Sequence, residues 1–143
     1  MALEWWREAY LVTTDKARPD LSLVHSFLKT SYWAGGIPAE VVRRSVENSL
    51  TFGLFRDDEQ VGFARVVTDY ATFAYLADVF VLEPHRGQGL GKWMMEVVFS
   101  HPELQGLRRW MLATRDAHGL YRKYEFAELE EPQIFMEKYS AYE

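Results

Sequence analysis

Leu82-Glu83-Pro84-His85-Arg86-Gly87-Gln88-Gly89-Leu90-Gly91-Lys92 joins an apolar run, Phe73 to Leu82, to an amphipathic one, Leu90 to Phe99. Three glycines within five residues let the backbone bend sharply and turn its N–H groups toward one point. The helix expected to begin there adds unpaired N–H donors and the positive end of its dipole. Such a site binds phosphate. Arg86 and Lys92, with His85 nearby, gather positive charge in a chain whose net charge is −5. The local reading is a pyrophosphate cradle. Neither common nucleotide pattern fits it. A P-loop needs Ser or Thr after its Gly-Lys, and Trp93 follows Lys92. A dinucleotide fingerprint needs Gly-x-Gly-x-x-Gly, and the spacing here is Gly87-x-Gly89-x-Gly91.

Outward from this turn, helical and strand patterns alternate without a linker or repeat. Tyr10–Thr13 reads as a short strand. Pro19-Asp20 caps a helix through Lys29, with Leu21, Val24 and Leu28 on one face. Gly35-Gly36-Ile37-Pro38 breaks the chain, and Pro38 suits the first turn of a second helix through Asn48. Leu50–Phe55 and Val61–Thr68 form a hairpin across Arg56–Gln60. Phe73–Leu82 is apolar on both faces, as a central strand is. The helix after the glycine turn carries Leu90, Met94, Val97 and Val98 in a stripe and stops at His101-Pro102. Arg109–Thr114 is then a strand, parallel to Phe73–Leu82 through a right-handed crossover. Asp116 is expected to cap a short helix through Tyr124, and Ile134–Tyr139 to form a last strand.

The 143 residues suffice for one domain, 1–143, with one substantial core. Hydrophobic residues at 48% and aromatics at 15% argue against disorder. No apolar run approaches the ~18 residues that span a bilayer. Met1-Ala-Leu-Glu-Trp-Trp-Arg lacks a charged-then-apolar signal pattern, so no membrane and a cytoplasmic location are expected. The acidic balance and the absence of a basic stripe argue against nucleic acid as partner. With no cysteine, disulfides and an acyl-cysteine intermediate are excluded. No His, Asp and Glu set has metal spacing, so no metal is expected.

Arg86-Gly87-Gln88-Gly89-Leu90-Gly91 resembles the acetyl-CoA signature of the GNAT acyl-CoA N-acyltransferases, Arg/Gln-x-x-Gly-x-Gly/Ala. Tyr121-Arg122-Lys123-Tyr124-Glu125-Phe126 is similar to that family's Tyr-x-Lys-x-Gly-Phe, with Glu125 where glycine is usual. The order of elements agrees from about Tyr10 to Tyr139. The resemblance implies an α/β (α+β) fold. Its central mixed, mostly antiparallel sheet has about six to seven strands and about four flanking helices, with a parallel pair splayed around the acetyl-CoA site. It implies an acetyl-CoA-dependent N-acetyltransferase that acts on an amine by direct transfer. Acetyl-CoA would be held by Arg86, Gly87, Gln88, Gly89, Leu90, Gly91 and Lys92. Strand backbone at Val79, Phe80 and Val81 would pair with the pantetheine arm, and Thr114 would bond it.

A lysine-like amine, of reference pKa ~10.4, must lose a proton before it attacks the thioester. A strand N–H near Val81 would meet the developing oxyanion. Tyr121 matches the family's acid for the leaving thiolate, with a core tyrosine as the plainer alternative. The family's glutamate base is missing, since its positions are Phe73 and Tyr75. Asp78 is the one carboxylate inside that run. It either binds a cationic amine or relays its proton, or it partners a loop N–H or an arginine such as Arg65 or Arg115. Tyr32 and Trp33, beside Gly35-Gly36, suit an adaptable substrate wall, and Arg115 and His118 the acceptor mouth. His25 and His101 read as helix-surface residues. Trp5 and Trp6 would cover a sheet edge or a partner, leaving a homodimer open. The acceptor is expected to be a small-molecule amine, with a protein N-terminus or lysine as the alternative. A catalytically silent acetyl-CoA-binding module, a nucleotide-binding protein and a purely structural role for the turn are the competing classes.

Overall fold

Alternating side chains and tight turns lay consecutive strands side by side. The computed structural model describes residues 1–142. In it β1 (Glu4–Arg7) pairs with β2 (Tyr10–Thr13), β2 with β3 (Leu50–Arg56), β3 with β4 (Glu59–Thr68) and β4 with β5 (Phe73–Val81). All four pairs are antiparallel. β6 (Arg109–Met111) joins the edge parallel to β5. The described residues thus form one six-stranded sheet in sequence order, flanked by α1 (Leu21–Leu28), α2 (Ala39–Glu47), α3 (Leu90–Ser100) and α4 (His118–Arg122). This is the mixed sheet with a parallel edge pair that the resemblance implied. None of the described helices is long and apolar enough to cross a membrane.

Local chemistry fixes the helix ends. The Asp20 carboxylate accepts the Leu23 N–H at 3.1 Å, capping α1, while its own N–H donates to Gln60 Oε1 at 2.7 Å. The second bond ties the helix start to the β3–β4 hairpin. Val24 and Leu28 from α1 and Val42 and Val46 from α2 then pack over Phe63 and Phe80 of the sheet. On the other face, Met94, Met95 and Val98 of α3 cover Val12, Phe52 and Leu54. Burying a side chain such as Phe52 contributes roughly 2–3 kcal/mol.

Several expectations need correction. Glu4–Arg7, read only as flanking tryptophans, is an edge strand. Trp5 packs toward Phe52 and His101, and Trp6 stays exposed. Ile134–Tyr139 forms no strand. Pro132 opens a 3-10 turn through Ile134, and the Phe135 ring lies under the Arg109 guanidinium at 5.1 Å. Ile134, Met136 and Tyr139 remain exposed, so pairing has no buried face to reward it. Asp116 does not cap α4. The Thr114 hydroxyl instead accepts the N–H groups of Asp116 and Ala117, at 3.4 and 3.2 Å, and the helix starts at His118. His101 is buried rather than surface-lying. Its Nδ1 accepts the Glu103 N–H at 3.1 Å, and burial pushes its pKa down. Glu125, at the family's glycine position, still takes a left-handed conformation, φ 71°, which costs a non-glycine residue about 1–2 kcal/mol.

Candidate active site

The parallel pair is short. Its register runs only from Phe73 opposite Arg109 to Tyr75 opposite Met111. Beyond that the strands part, and the reason lies on the other side of β5. Phe63 faces Phe80 and Arg65 faces Ala77, so Ala64 alone opposes both Asp78 and Val79. The extra residue is a bulge, which bends the strand and increases its twist. Asp78 takes φ 55° there, in a left-handed region that aspartate tolerates better than most residues. A cavity of about 730 Å³ occupies the gap and reaches from the glycine turn to the α1–α2 loop, a size that suits an extended ligand.

The glycine turn forms one end. Gly87 and Gly89 have φ of 82° and 81°, and Gly89 is the N-cap of α3. The cap offers no side-chain bond, so the first-turn N–H groups have no partner from it. Gly91 sits inside the helix, where a Cβ would meet only Val81 Cγ2, at 4.0 Å. The Arg86 side chain folds back and donates from Nε to the Val81 carbonyl at 2.7 Å, tying the turn to the strand end. Arg7 on β1, which carries no readable motif, donates from Nη1 to the Gly89 carbonyl at 3.2 Å. Gln88 donates to the His85 carbonyl and the Tyr10 hydroxyl, at 3.0 and 3.2 Å. That hydroxyl lies 3.1 Å from His85 Nδ1.

Tyr121 stands at the parting of the strands. Its side chain is buried, and among the described residues its hydroxyl has no hydrogen-bond partner. Burial, with smaller contributions from Tyr32 and Asp116, pushes the phenol up to about 12. The group therefore holds its proton at neutral pH. Tyr124, one turn on, packs against Phe99 and donates to the Lys92 carbonyl at 3.2 Å.

Asp78 does not carry a free charge. Its Oδ2 accepts Arg65 Nε at 2.8 Å, and its Oδ1 accepts Trp33 Nε1 at 2.9 Å. Arg65 also donates to Ser49 Oγ at 3.2 Å. Both structural partners open to Asp78 are present: a loop N–H, from Trp33, and an arginine, Arg65 rather than Arg115. Arg115 lies over the Tyr32 ring at 4.4 Å, and its backbone N–H donates to the Tyr32 hydroxyl at 3.2 Å.

The cavity thus gathers Tyr32, Trp33, Asp78, Val79, Phe80, Val81, Arg86, Gly87, Gly89, Leu90, Gly91, Thr114 and Tyr121 from distant parts of the chain. Gln88, Lys92 and Arg115 lie beside it without lining it. His118 lines a separate cavity of about 210 Å³ behind Tyr121. Sequence reading missed Arg7 and Tyr142. Arg7 belongs to a strand too short to announce itself, and Tyr142 enters the cavity wall from an irregular segment. No group of three or more acidic or histidine side chains among the described residues has the arrangement to hold a metal.

Comparison with known proteins places this geometry. The GNAT acetyltransferase family model matches residues 3–126. A Gibberella zeae protein whose name assigns it to the acetyltransferases is 36% identical, with 83% of this chain and 79% of that protein covered. The crystal structure of a GNAT-family protein from Xanthomonas campestris pv. campestris superposes with a TM-score of 0.90 at 52% identity, covering 92% of this chain and 93% of that one. A Clostridium acetobutylicum structure with acetyl-CoA shares the fold, with a TM-score of 0.65 at 16% identity, and 97% of this chain and 96% of that one covered. By family model, sequence identity and fold alike, the chain belongs to the GNAT family of acetyltransferases.

Proposed function

We propose that this protein passes the acetyl group of acetyl-CoA directly to the primary amine of a small molecule. The observation that carries the reading is Gly91. Its backbone is helical and its Cβ position is open, so the protein's own packing does not require glycine there. The open space suits a ligand brought close to the helix start. The first-turn N–H groups, which the cap residue leaves unbonded, suit a pyrophosphate with the α3 dipole behind them. Arg7, Arg86 and Lys92 add charge around it. When bound, acetyl-CoA supplies an acetyl group activated as a thioester.

The remaining roles fall to groups along the gap. The β5 edge at Val79, Phe80 and Val81 is free of β6 and suits pairing with the amides of the pantetheine arm. A strand N–H near Val81 is the donor for negative charge on the carbonyl oxygen. Thr114 spends its oxygen lone pairs on Asp116 and Ala117 and keeps its O–H to donate. Tyr121 holds a proton to hand to the departing thiolate. Asp78 serves by position, since both its oxygens are bonded. The amine's proton then leaves through water in the open cavity. A small acceptor is favoured because Tyr32, Trp33, Phe27 and Ile37 wall the cavity's far end.

Calorimetric titration of acetyl-CoA into wild type and Gly91→Val tests the cradle. The variant is expected to keep its melting temperature within a few degrees and to lose affinity by at least about tenfold, roughly 1.4 kcal/mol. Equal affinities would remove the glycine turn from the binding site.

A further inference from the structure

Tyr32 and Trp33 are neighbours in one loop, yet they reach opposite walls of the gap. The Trp33 indole N–H is bonded to Asp78, the bulge residue of β5. The Tyr32 hydroxyl accepts the Arg115 N–H from the chain that follows β6, and the Arg115 guanidinium lies over the same ring. The two rings meet edge to face at 5.1 Å, so the two attachments form one unit. Phe27 extends it. Its ring stacks on Phe80, the residue after the bulge, at 4.0 Å and lies 6.2 Å from Trp33.

Burial does not account for this arrangement. Tyr32 is 49% exposed and Trp33 40% exposed. An exposed aromatic pair contributes little to the core, so the constraint these residues impose is local. The bulge needs such a constraint. A left-handed aspartate persists only where its surroundings hold it, the residues after it have no β6 partner, and acyl transfer is sensitive to displacements of about 1 Å.

We propose that Tyr32 and Trp33 act as a clasp across the splayed strands, and that Trp33, through Asp78, is a positioning residue for the bulged stretch Asp78–Phe80. The inference rests on the acetyl-transfer reading of this cavity. Each half of the clasp steadies its own wall: Trp33 the β5 bulge, Tyr32 the chain at Arg115. The loop that meets the acceptor is thereby coupled to the backbone that meets the acetyl group.

Two conservative variants test it, each removing one polar hydrogen-bonding group and keeping an aromatic ring. In Trp33→Phe, amide exchange at Val79 and Phe80 should accelerate. The kcat should fall by about tenfold or more, with a smaller loss of acetyl-CoA affinity and a fold that remains intact. In Tyr32→Phe, the Arg115 amide should exchange faster and the Val79 and Phe80 amides should not. Unchanged exchange at Val79 and Phe80 in Trp33→Phe overturns the proposal, whatever happens to kcat. Faster exchange with an unchanged kcat also overturns it, since the bulge would then not need holding. If wild type transfers acetyl to no amine, the acetyl-transfer reading fails, and the exchange data still decide whether the clasp exists.

Discussion

Tyr121→Phe is expected to lower kcat by about 10²-fold or more, the usual cost of losing a positioned proton donor, with acetyl-CoA affinity unchanged. The ring stays, so its edge-on contact with Phe126 stays too. Only a hydroxyl with no protein partner among the described residues is lost. The pH dependence has a definite sign. Burial raises the phenol to about 12, so the donor is protonated throughout the neutral and mildly alkaline range. Turnover should therefore rise with pH as the amine deprotonates, with no falling limb from Tyr121 below about pH 11. Steady-state kinetics of both proteins between about pH 6 and 10 check this. A variant with wild-type turnover would make Tyr121 a packing residue.

Asp78→Asn carries the largest expected loss of stability. The carboxylate is 8% exposed and its partner Arg65 19% exposed. Removing one charge strands the other, a change that costs about 3–5 kcal/mol in a buried pair. In a domain of this size that lowers the melting temperature by roughly 10 °C or more. Asparagine tolerates the left-handed backbone and can still accept the Trp33 N–H, so the loss isolates the charge. The double variant Asp78→Asn with Arg65→Met should recover most of it, because no buried charge then remains unpaired. An Asp78→Asn protein that melts with wild type would show that solvent already screens the pair.

The fold was legible where local chemistry and global packing agree. Three glycines around a helix start, an apolar stripe at Leu90, Met94 and Val97, and a turn-bounded central strand leave few arrangements open. For the candidate site, what the sequence allowed was placement: Gly89, Gly91 and Tyr121 do line one cavity, and φ 81° at Gly89 is a conformation that favours glycine. A role was not legible where it depends on distant partners. Nothing in Tyr75-Leu76-Ala77-Asp78-Val79 reveals that Asp78 is the extra residue of a bulge, because bulges depend on cross-strand register. Arg65 as its partner was one arginine of two. Thr114 was read for a ligand, and its oxygen also accepts the Asp116 and Ala117 N–H groups ahead of α4. Ile134–Tyr139 has the composition of a strand, but composition does not supply a neighbour to pair with.

In the proposed reaction, the gap between β5 and β6 holds acetyl-CoA and delivers its acetyl group directly to an amine. The most direct test is free-thiol release from acetyl-CoA across a panel of small amines, with the amine product and the intact protein mass followed in parallel. Direct transfer requires thiol release that depends on a particular amine, one N-acetylated product per thiol, and a protein mass that never gains an acetyl group. Acetyl-CoA binding without amine-dependent thiol release anywhere in the panel, or an acetylated protein that forms before the product, would contradict it.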